Sequence, residues 1–332
     1  MNRSSSSPRL DIADGAMLLV ALIWAGNNVL TKSVLNVRLS PYTYVALRFA
    51  IVVTLLFGWL IWRGADLRIR REDYGQFFLT GITGFAAYNL LFTVGLSRTS
   101  AFSSAIIVSL GPVFTLLLAS TLKLERVRPV QWLGVAFAFA GAAVFVGEKL
   151  AAGRPALGDV LNLLAAFSFA IYGLATRPIV RTYGSPLMTA WSVLIGLIAV
   201  FPITLPALLR EDWGGIGAQG WIAVLYAGAL SMLVAYTLWG WAIGRRGVGR
   251  TVPYLYLIPV ITGVLAFLFL DESFGTAQLA GAALIFAGVA LARREPAARV
   301  PATTSSDDTR PGAPSPNTEA ESAAAPRPTP GP

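Results

Sequence analysis

Residues 101–147 read AFSSAIIVSLGPVFTLLLASTLKLERVRPVQWLGVAFAFAGAAVFVG, and their pattern returns before the chain ends. A shift of 147 positions lays Leu110, Pro112, Thr115, Glu125, Gln131, Gly134, Phe139 and Gly141 onto Leu257, Pro259, Thr262, Glu272, Gln278, Gly281, Phe286 and Gly288. Each copy reads as an apolar helix with a proline inside it, a short turn carrying one glutamate, and a second apolar helix whose glycines stand seven residues apart. Helices this poor in charge have no face suited to water, so the duplicated hairpin belongs in lipid.

Composition points the same way. Hydrophobic residues make up 55% of the 332 and charged residues 13%, too little charge to clothe a soluble globule of this length. The net charge of +9 comes from arginines that punctuate apolar runs rather than from a basic face, which argues against a nucleic-acid partner. With no cysteine and no histidine there is no disulfide, no thiolate metal site and none of the usual general base. Neither a metal nor a cofactor is implied. A membrane-embedded enzyme would need a nucleophile or an acid–base pair at a cavity mouth, and no span carries a carboxylate pair.

A spanning helix takes ~20 mostly apolar residues, and ten stretches qualify: 15–35, 41–62, 75–97, 99–121, 129–147, 157–177, 186–209, 219–243, 250–270 and 276–293. The first is too long for a signal peptide and lacks the small-residue cleavage site. With the N-terminus inside, fourteen Lys and Arg residues before the tail fall in cytoplasmic segments and six outside, the asymmetry of positively charged inner loops. Both termini are therefore expected in the cytoplasm. The duplication also reaches the first helix of each half, where an offset of 145 sets Asp14, Thr31, Lys32 and Pro41 on Asp159, Thr176, Arg177 and Pro186.

Five spans per copy is an odd number, so the second copy must enter the membrane with opposite polarity. The expected fold is an all-α integral membrane protein of ten transmembrane helices, arranged as two inverted five-helix repeats over 15–147 and 157–293. A cytoplasmic segment, 1–14, precedes them. A tail follows over 295–332 that holds nine of the twenty prolines and almost no large apolar side chains, and is expected to be disordered. Inverted halves are the architecture of secondary transporters, with the binding site near the midplane where the halves meet.

The doubled pattern of proline, glutamate and two glycines, with Trp24-Ala25-Gly26-Asn27 in the first span and Arg48 in the second, resembles the ten-helix EamA-type members of the drug/metabolite transporter superfamily. Within that group the chain is most similar to the YddG-type amino-acid exporters of bacterial inner membranes. The resemblance implies a central cavity lined by both halves and export of small neutral or zwitterionic metabolites, amino acids first. A drug or other metabolite efflux carrier of the same superfamily is the alternative.

Candidate site residues are polar groups at membrane depth. Trp24, Asn27, Asn28 and Thr31 recur at i, i+3, i+4 and i+7 and so share one helical face. An asparagine in hydrocarbon must find partners, on a neighbouring helix or in a wet cavity. Both remain open for Asn28, while the resemblance directs Asn27 towards the cavity. The corresponding face of the second half carries Phe169, Tyr172 and Thr176. Tyr88, Tyr236, Trp239 and Tyr254 add rings with a polar edge, able to flank an amphipathic solute and bond its head group.

Arg48 is the one cation well inside a span. It can neutralise a substrate carboxylate, or pair with backbone carbonyls and anchor its helix, and the structural role is the expectation. Pro112 and Pro259 each remove a mid-span hydrogen bond and serve as gating hinges or as fixed kinks. Gly134, Gly141, Gly281 and Gly288 suit close helix packing or a dimer face, consistent with a monomer or weak homodimer. Glu125 and Glu272 are expected to cap helix ends or pair in loops. The acidic residues all fall in loops, tails or span ends, so no proton relay is evident. The lipid bilayer and a small-molecule substrate are the expected partners.

Overall fold

The computed structural model describes residues 12–123, 128–151, 153, 155–246 and 252–292, and their regular structure is helical. In the first half α1 covers Ile12–Val34 and α2 Pro41–Trp62, the latter opened by Pro41 and capped by the Ser40 hydroxyl, which accepts from the Tyr42 N–H. α3, Tyr74–Thr80, runs through a π-helical stretch, Gly81–Ala87, into α4, Tyr88–Arg98. α5, Ala101–Val108, α6, Gly111–Thr121, and α7, Pro129–Ala151, follow. The second half holds α8, Leu157–Arg210, then α9, Gly217–Leu225, which passes through a second π-helical stretch, Tyr226–Val234, into α10, Ala235–Arg246. A 3₁₀ turn, Val252–Tyr256, leads into α11, Leu257–Leu270, and α12 is Thr276–Ala292.

Eight helical stretches are long and apolar enough to cross a membrane, and two further apolar ones, Tyr254–Leu270 and Thr276–Ala292, are shorter. The ten stretches read from the sequence fall on these helices with ends moved by a few residues. The clearest departure is at 178–185, read as a loop, where the helix continues. Gly184 interrupts it at φ 74° and ψ 162°, a conformation open essentially to glycine alone. The chain folds back there. A Cβ on Gly84 would strike the Tyr172 ring and one on Gly81 would strike Ile195 and Ser192, so Tyr172 and Ile195 lie against neighbouring turns of one segment.

Span four is also broken. Leu110 donates to Ile107 O at 3.1 Å and Val113 to Leu110 O at 2.9 Å, so a 3₁₀ turn separates α5 from α6 and Pro112 sits in the first turn of α6. Pro259 sits likewise in the first turn of α11, just after the Val252–Tyr256 turn. Each proline starts a helix, where its missing N–H costs nothing.

The glycines make the closest helix contact in the molecule. A side chain at Gly134 would fall on Gly288 O and Ala292 N, and one at Gly288 on Gly134 O and Ala138 N, while Gly141 meets Gly281 in the same way. α7 and α12 therefore run antiparallel with backbones touching, which assigns these residues to packing within the chain. Gln131 extends the contact by donating to Ala292 O at 3.1 Å. Glu272 acts as a cap: its carboxylate accepts from the Ala101 and Phe102 N–H groups at the start of α5, at 2.6 and 3.3 Å. Lys149 pairs with the buried Asp159, to which Thr99 also donates, tying the end of α7 to the start of α8. Glu125, residues 1–11 and the tail at 295–332 lie outside the described residues.

Gly288→Leu should force α7 and α12 apart, an overpacking cost of ~1–3 kcal/mol or more. The expected result is a lower unfolding midpoint in detergent, with Gly240→Ala, which meets nothing within 4 Å, as the neutral control.

Candidate functional site

The polar face of α1 points into the protein. Trp24 Nε1 donates to Ser231 O at 3.1 Å, Asn28 Nδ2 to Thr262 Oγ1 at 3.3 Å, and the Thr31 and Tyr44 hydroxyls bond at 2.7 Å. Asn27 is 6% exposed and its Oδ1 has no hydrogen-bond partner. One face of one helix thus reaches the π stretch before α10, then α11, then α2.

The backbone beside this face leaves the α-helix twice. The π-helical stretches begin at Gly81 and Tyr226, 145 residues apart, the same offset that superposes the first helices of the two halves. A π turn bonds i to i+5, widens the helix and re-aims its carbonyls. Here side chains take them up. Ser168 Oγ donates to Thr83 O at 2.8 Å, Asn89 Nδ2 to Gly84 O at 3.2 Å, and Trp24 to Ser231 O. The first helix of each half therefore bonds the π stretch of the other: α1 through Trp24, and α8 through Ser168.

Rings gather around these stretches in two groups. Trp24, Tyr236 and Trp239 meet edge to face, with centroids 5.2 Å apart for the first pair and 6.1 Å for each of the others. Tyr88 lies 4.9 Å from Phe169, which is 5.5 Å from Tyr172, itself 5.7 Å from Phe85. α2 touches both groups: Phe49 lies 6.2 Å from Phe85, and Arg48 bonds Met232, the residue after the Ser231 that Trp24 bonds. All three tyrosines are half-buried. Two clefts open on the exterior, beside Asn36–Ser40 and beside Trp59–Asp66, and neither contains these rings.

Arg48 projects from α2 towards the same region and is 7% exposed. Its Nε donates to Met232 Sδ at 3.1 Å, on the second π stretch, and not to the backbone carbonyls expected of a helix anchor. Of the candidate residues, Trp24, Tyr236 and Trp239 form one ring group and Tyr88 with Tyr172 belongs to the other, while Arg48 stands on the helix that touches both. Asn28 is committed to Thr262. Tyr254 stands apart, because its hydroxyl donates to Asp14 Oδ1 at 2.7 Å, and Asp14 is roughly 20 Å along α1 from Asn27 at ~1.5 Å per residue. Ser168, Ser231 and Met232 were missed by sequence reasoning. The glycines Gly81, Gly84 and Gly228 amid otherwise bulky spans were the one signal of an irregular backbone there.

Comparison with known proteins follows the same lines. The profile of the EamA-like transporter family matches twice, over residues 11–147 and 156–294. A probable terminal-alkyne amino-acid exporter of Streptantibioticus cattleyicolor is 28% identical over 86% of this chain and 95% of its own. A probable amino-acid metabolite efflux pump of Escherichia coli is 29% identical over 83% of this chain and 93% of its own. A solved crystal structure shares the fold at a TM-score of 0.58, with 22% identity over 85% of this chain and 96% of that one.

Trp24→Phe and Ser168→Ala each strip one donor from a buried π-stretch carbonyl, at a cost of ~1–3 kcal/mol. Both should lower the thermal midpoint in detergent. Because the two bonds share no partner, the double variant should show close to the sum of the single effects.

Proposed function

Because the chain belongs to the EamA-like transporter family, we propose that it exports amino acids, neutral and aromatic ones foremost, across the bacterial inner membrane by alternating access. The observation that carries this reading is the pair of ring groups, Trp24 with Tyr236 and Trp239 and Tyr88 with Phe169 and Tyr172, each drawn from both halves of the chain and both touched by α2. Rings with polar edges around an interior space suit a solute with one apolar end and one polar end. The names carried by the relatives, an amino-acid exporter and an amino-acid metabolite efflux pump, support that solute class.

In this reading the eight long apolar stretches and the two shorter ones are ten spans, and both termini face the cytoplasm. The antiparallel contact of α7 with α12, the matching helices of the two copies, supports inverted repeats. The 3₁₀ breaks before α6 and α11 are the places where spans four and nine can bend. Asn27 Oδ1, unpaired and sealed from solvent in this conformation, becomes an acceptor for the solute ammonium when the halves open, and Trp24 with Trp239 faces the apolar side chain.

Asn27→Ala should weaken transport of every accepted amino acid in proteoliposomes, since it removes a contact to the shared head group. A hydrogen bond to a charged group contributes ~1.5–3 kcal/mol, about tenfold to a hundredfold in affinity. Trp24→Ala should instead alter the ranking among side chains. Thr54→Ala is the control, because the Thr54 hydroxyl bonds Ala50 O at 2.8 Å on an exposed face of α2. An Asn27→Ala protein that inserts normally and transports like the parent would remove Asn27 from the site.

Orientation is checked separately. A reporter active only outside the cytoplasm, fused after Arg294, should be silent. Activity there would mean a miscounted span or a reversed orientation.

A further inference from the structure

Arg48 lies two turns into α2, 7% exposed, in a helix that must cross hydrocarbon. A cation in such a place is costly unless something pairs with it. Within the described residues nothing does. Its one hydrogen bond runs from Nε to Met232 Sδ at 3.1 Å, and the two ion pairs present, Arg70 with Glu72 and Lys149 with Asp159, lie elsewhere. A thioether is a weak acceptor, so this contact orients the guanidinium without neutralising it.

Among the described residues the Nη atoms make no hydrogen bond, and they do not belong to the polar atoms that are sealed from solvent without a partner, as Asn27 Oδ1 and Trp239 Nε1 are. The Nη side of the fork therefore keeps accessible surface. Tyr44 stands one turn before it on α2, Tyr236 four residues beyond the Met232 it bonds, and Tyr88 three beyond Phe85, whose ring lies 6.2 Å from Phe49. Tyr44 is committed to Thr31 and to Ala223 O, whereas the Tyr88 and Tyr236 hydroxyls hold no hydrogen bond among the described residues. A helix anchor would spend its Nη donors on carbonyls, and this one keeps them free.

We propose that Arg48 receives the carboxylate of the transported solute, its planar fork taking the two oxygens side by side with the Tyr88 and Tyr236 hydroxyls flanking them. The identity of that solute as an amino acid rests on the reading above. The site itself asks only for a carboxylate.

Counterflow of phenylalanine in proteoliposomes, competed by phenylacetamide and by phenylacetate, which differ only at the carboxylate, tests this. The parent should be inhibited by the acid at roughly tenfold to hundredfold lower concentration than by the amide. Arg48→Gln should bring that ratio near one while the ranking of amino-acid side chains is kept. Arg48→Lys should keep part of it, since the charge remains and the fork is lost. A folded Arg48→Gln protein that still prefers acid over amide overturns the proposal. So does a parent that fails to tell acid from amide, a measurement that needs no variant. If the parent carries no amino acid at all, the amino-acid reading falls, and Arg48 is judged by thermal stabilisation of the purified parent. Stabilisation by phenylacetate and not by phenylacetamide sustains the carboxylate receptor, and an equal response to both overturns it.

Discussion

Inside a bilayer every backbone N–H and C=O must find its partner within the protein, and irregular backbone is tolerated only where it is buried or lines a cavity. The two π-helical stretches, Gly81–Ala87 and Tyr226–Val234, are where this chain meets that constraint. The carbonyls of Thr83, Gly84 and Ser231 are satisfied by Ser168, Asn89 and Trp24. Two of those three donors come from the first helix of the opposite half, so the irregular backbone of each half is completed by the other. Any movement of one half against the other has to exchange these bonds. That places the mechanically sensitive part of the molecule at the aromatic cluster itself.

The contact between α7 and α12 has the opposite character. Gly134 against Gly288 and Gly141 against Gly281 bring two backbones together with no side chain between them, and lipid tails offer no competing attraction of the same shape. Neither helix contributes a residue to the ring cluster. The pair forms a fixed seam between the halves, while the broken helices and π stretches carry the adaptable surface. Glu272 and Lys149 with Asp159 secure helix ends near that seam by caps and a buried ion pair.

Features with a strong local period were legible in the sequence. The face of Trp24, Asn27, Asn28 and Thr31 was readable because a polar residue at membrane depth has few places to go, and a spacing of three and four fixes which side it takes. The glycines spaced by seven were readable because only close packing explains so small a side chain at a repeated position in lipid. The π stretches were not readable. A π turn is stabilised by donors such as Ser168 that arrive from a helix some 85 residues away, and nothing local marks them beyond the glycines. Gly184 was lost inside an assumed loop because a reversal through one glycine leaves helical sequence on both sides of it. Tyr254 was misplaced because depth along a span says nothing about which neighbour a ring will meet, and Asp14 turned out to be its partner. The same limit hid Met232 from Arg48.

The chemistry of the cluster also bears on what it can discriminate. Its apolar part is held in place, since Trp24 is fixed by its bond to Ser231 and by edge contacts to Tyr236 and Trp239, so under the proposed function a solute side chain meets rings that cannot easily turn away. Its polar part is sparse and directional: the Tyr88, Tyr172 and Tyr236 hydroxyls, the Asn27 amide and the Arg48 fork. A rigid apolar wall discriminates weakly between solutes that differ by a methylene, whereas buried polar groups reject a solute that leaves them unpaired far more strongly. Under the proposed function, this division makes the head group the demanding end and the side chain the permissive end. One carrier can then accept a range of amino acids while refusing solutes that lack the zwitterion. Metabolite exporters of broad range need that pattern of selectivity, and here it follows from which atoms the two halves leave unbonded.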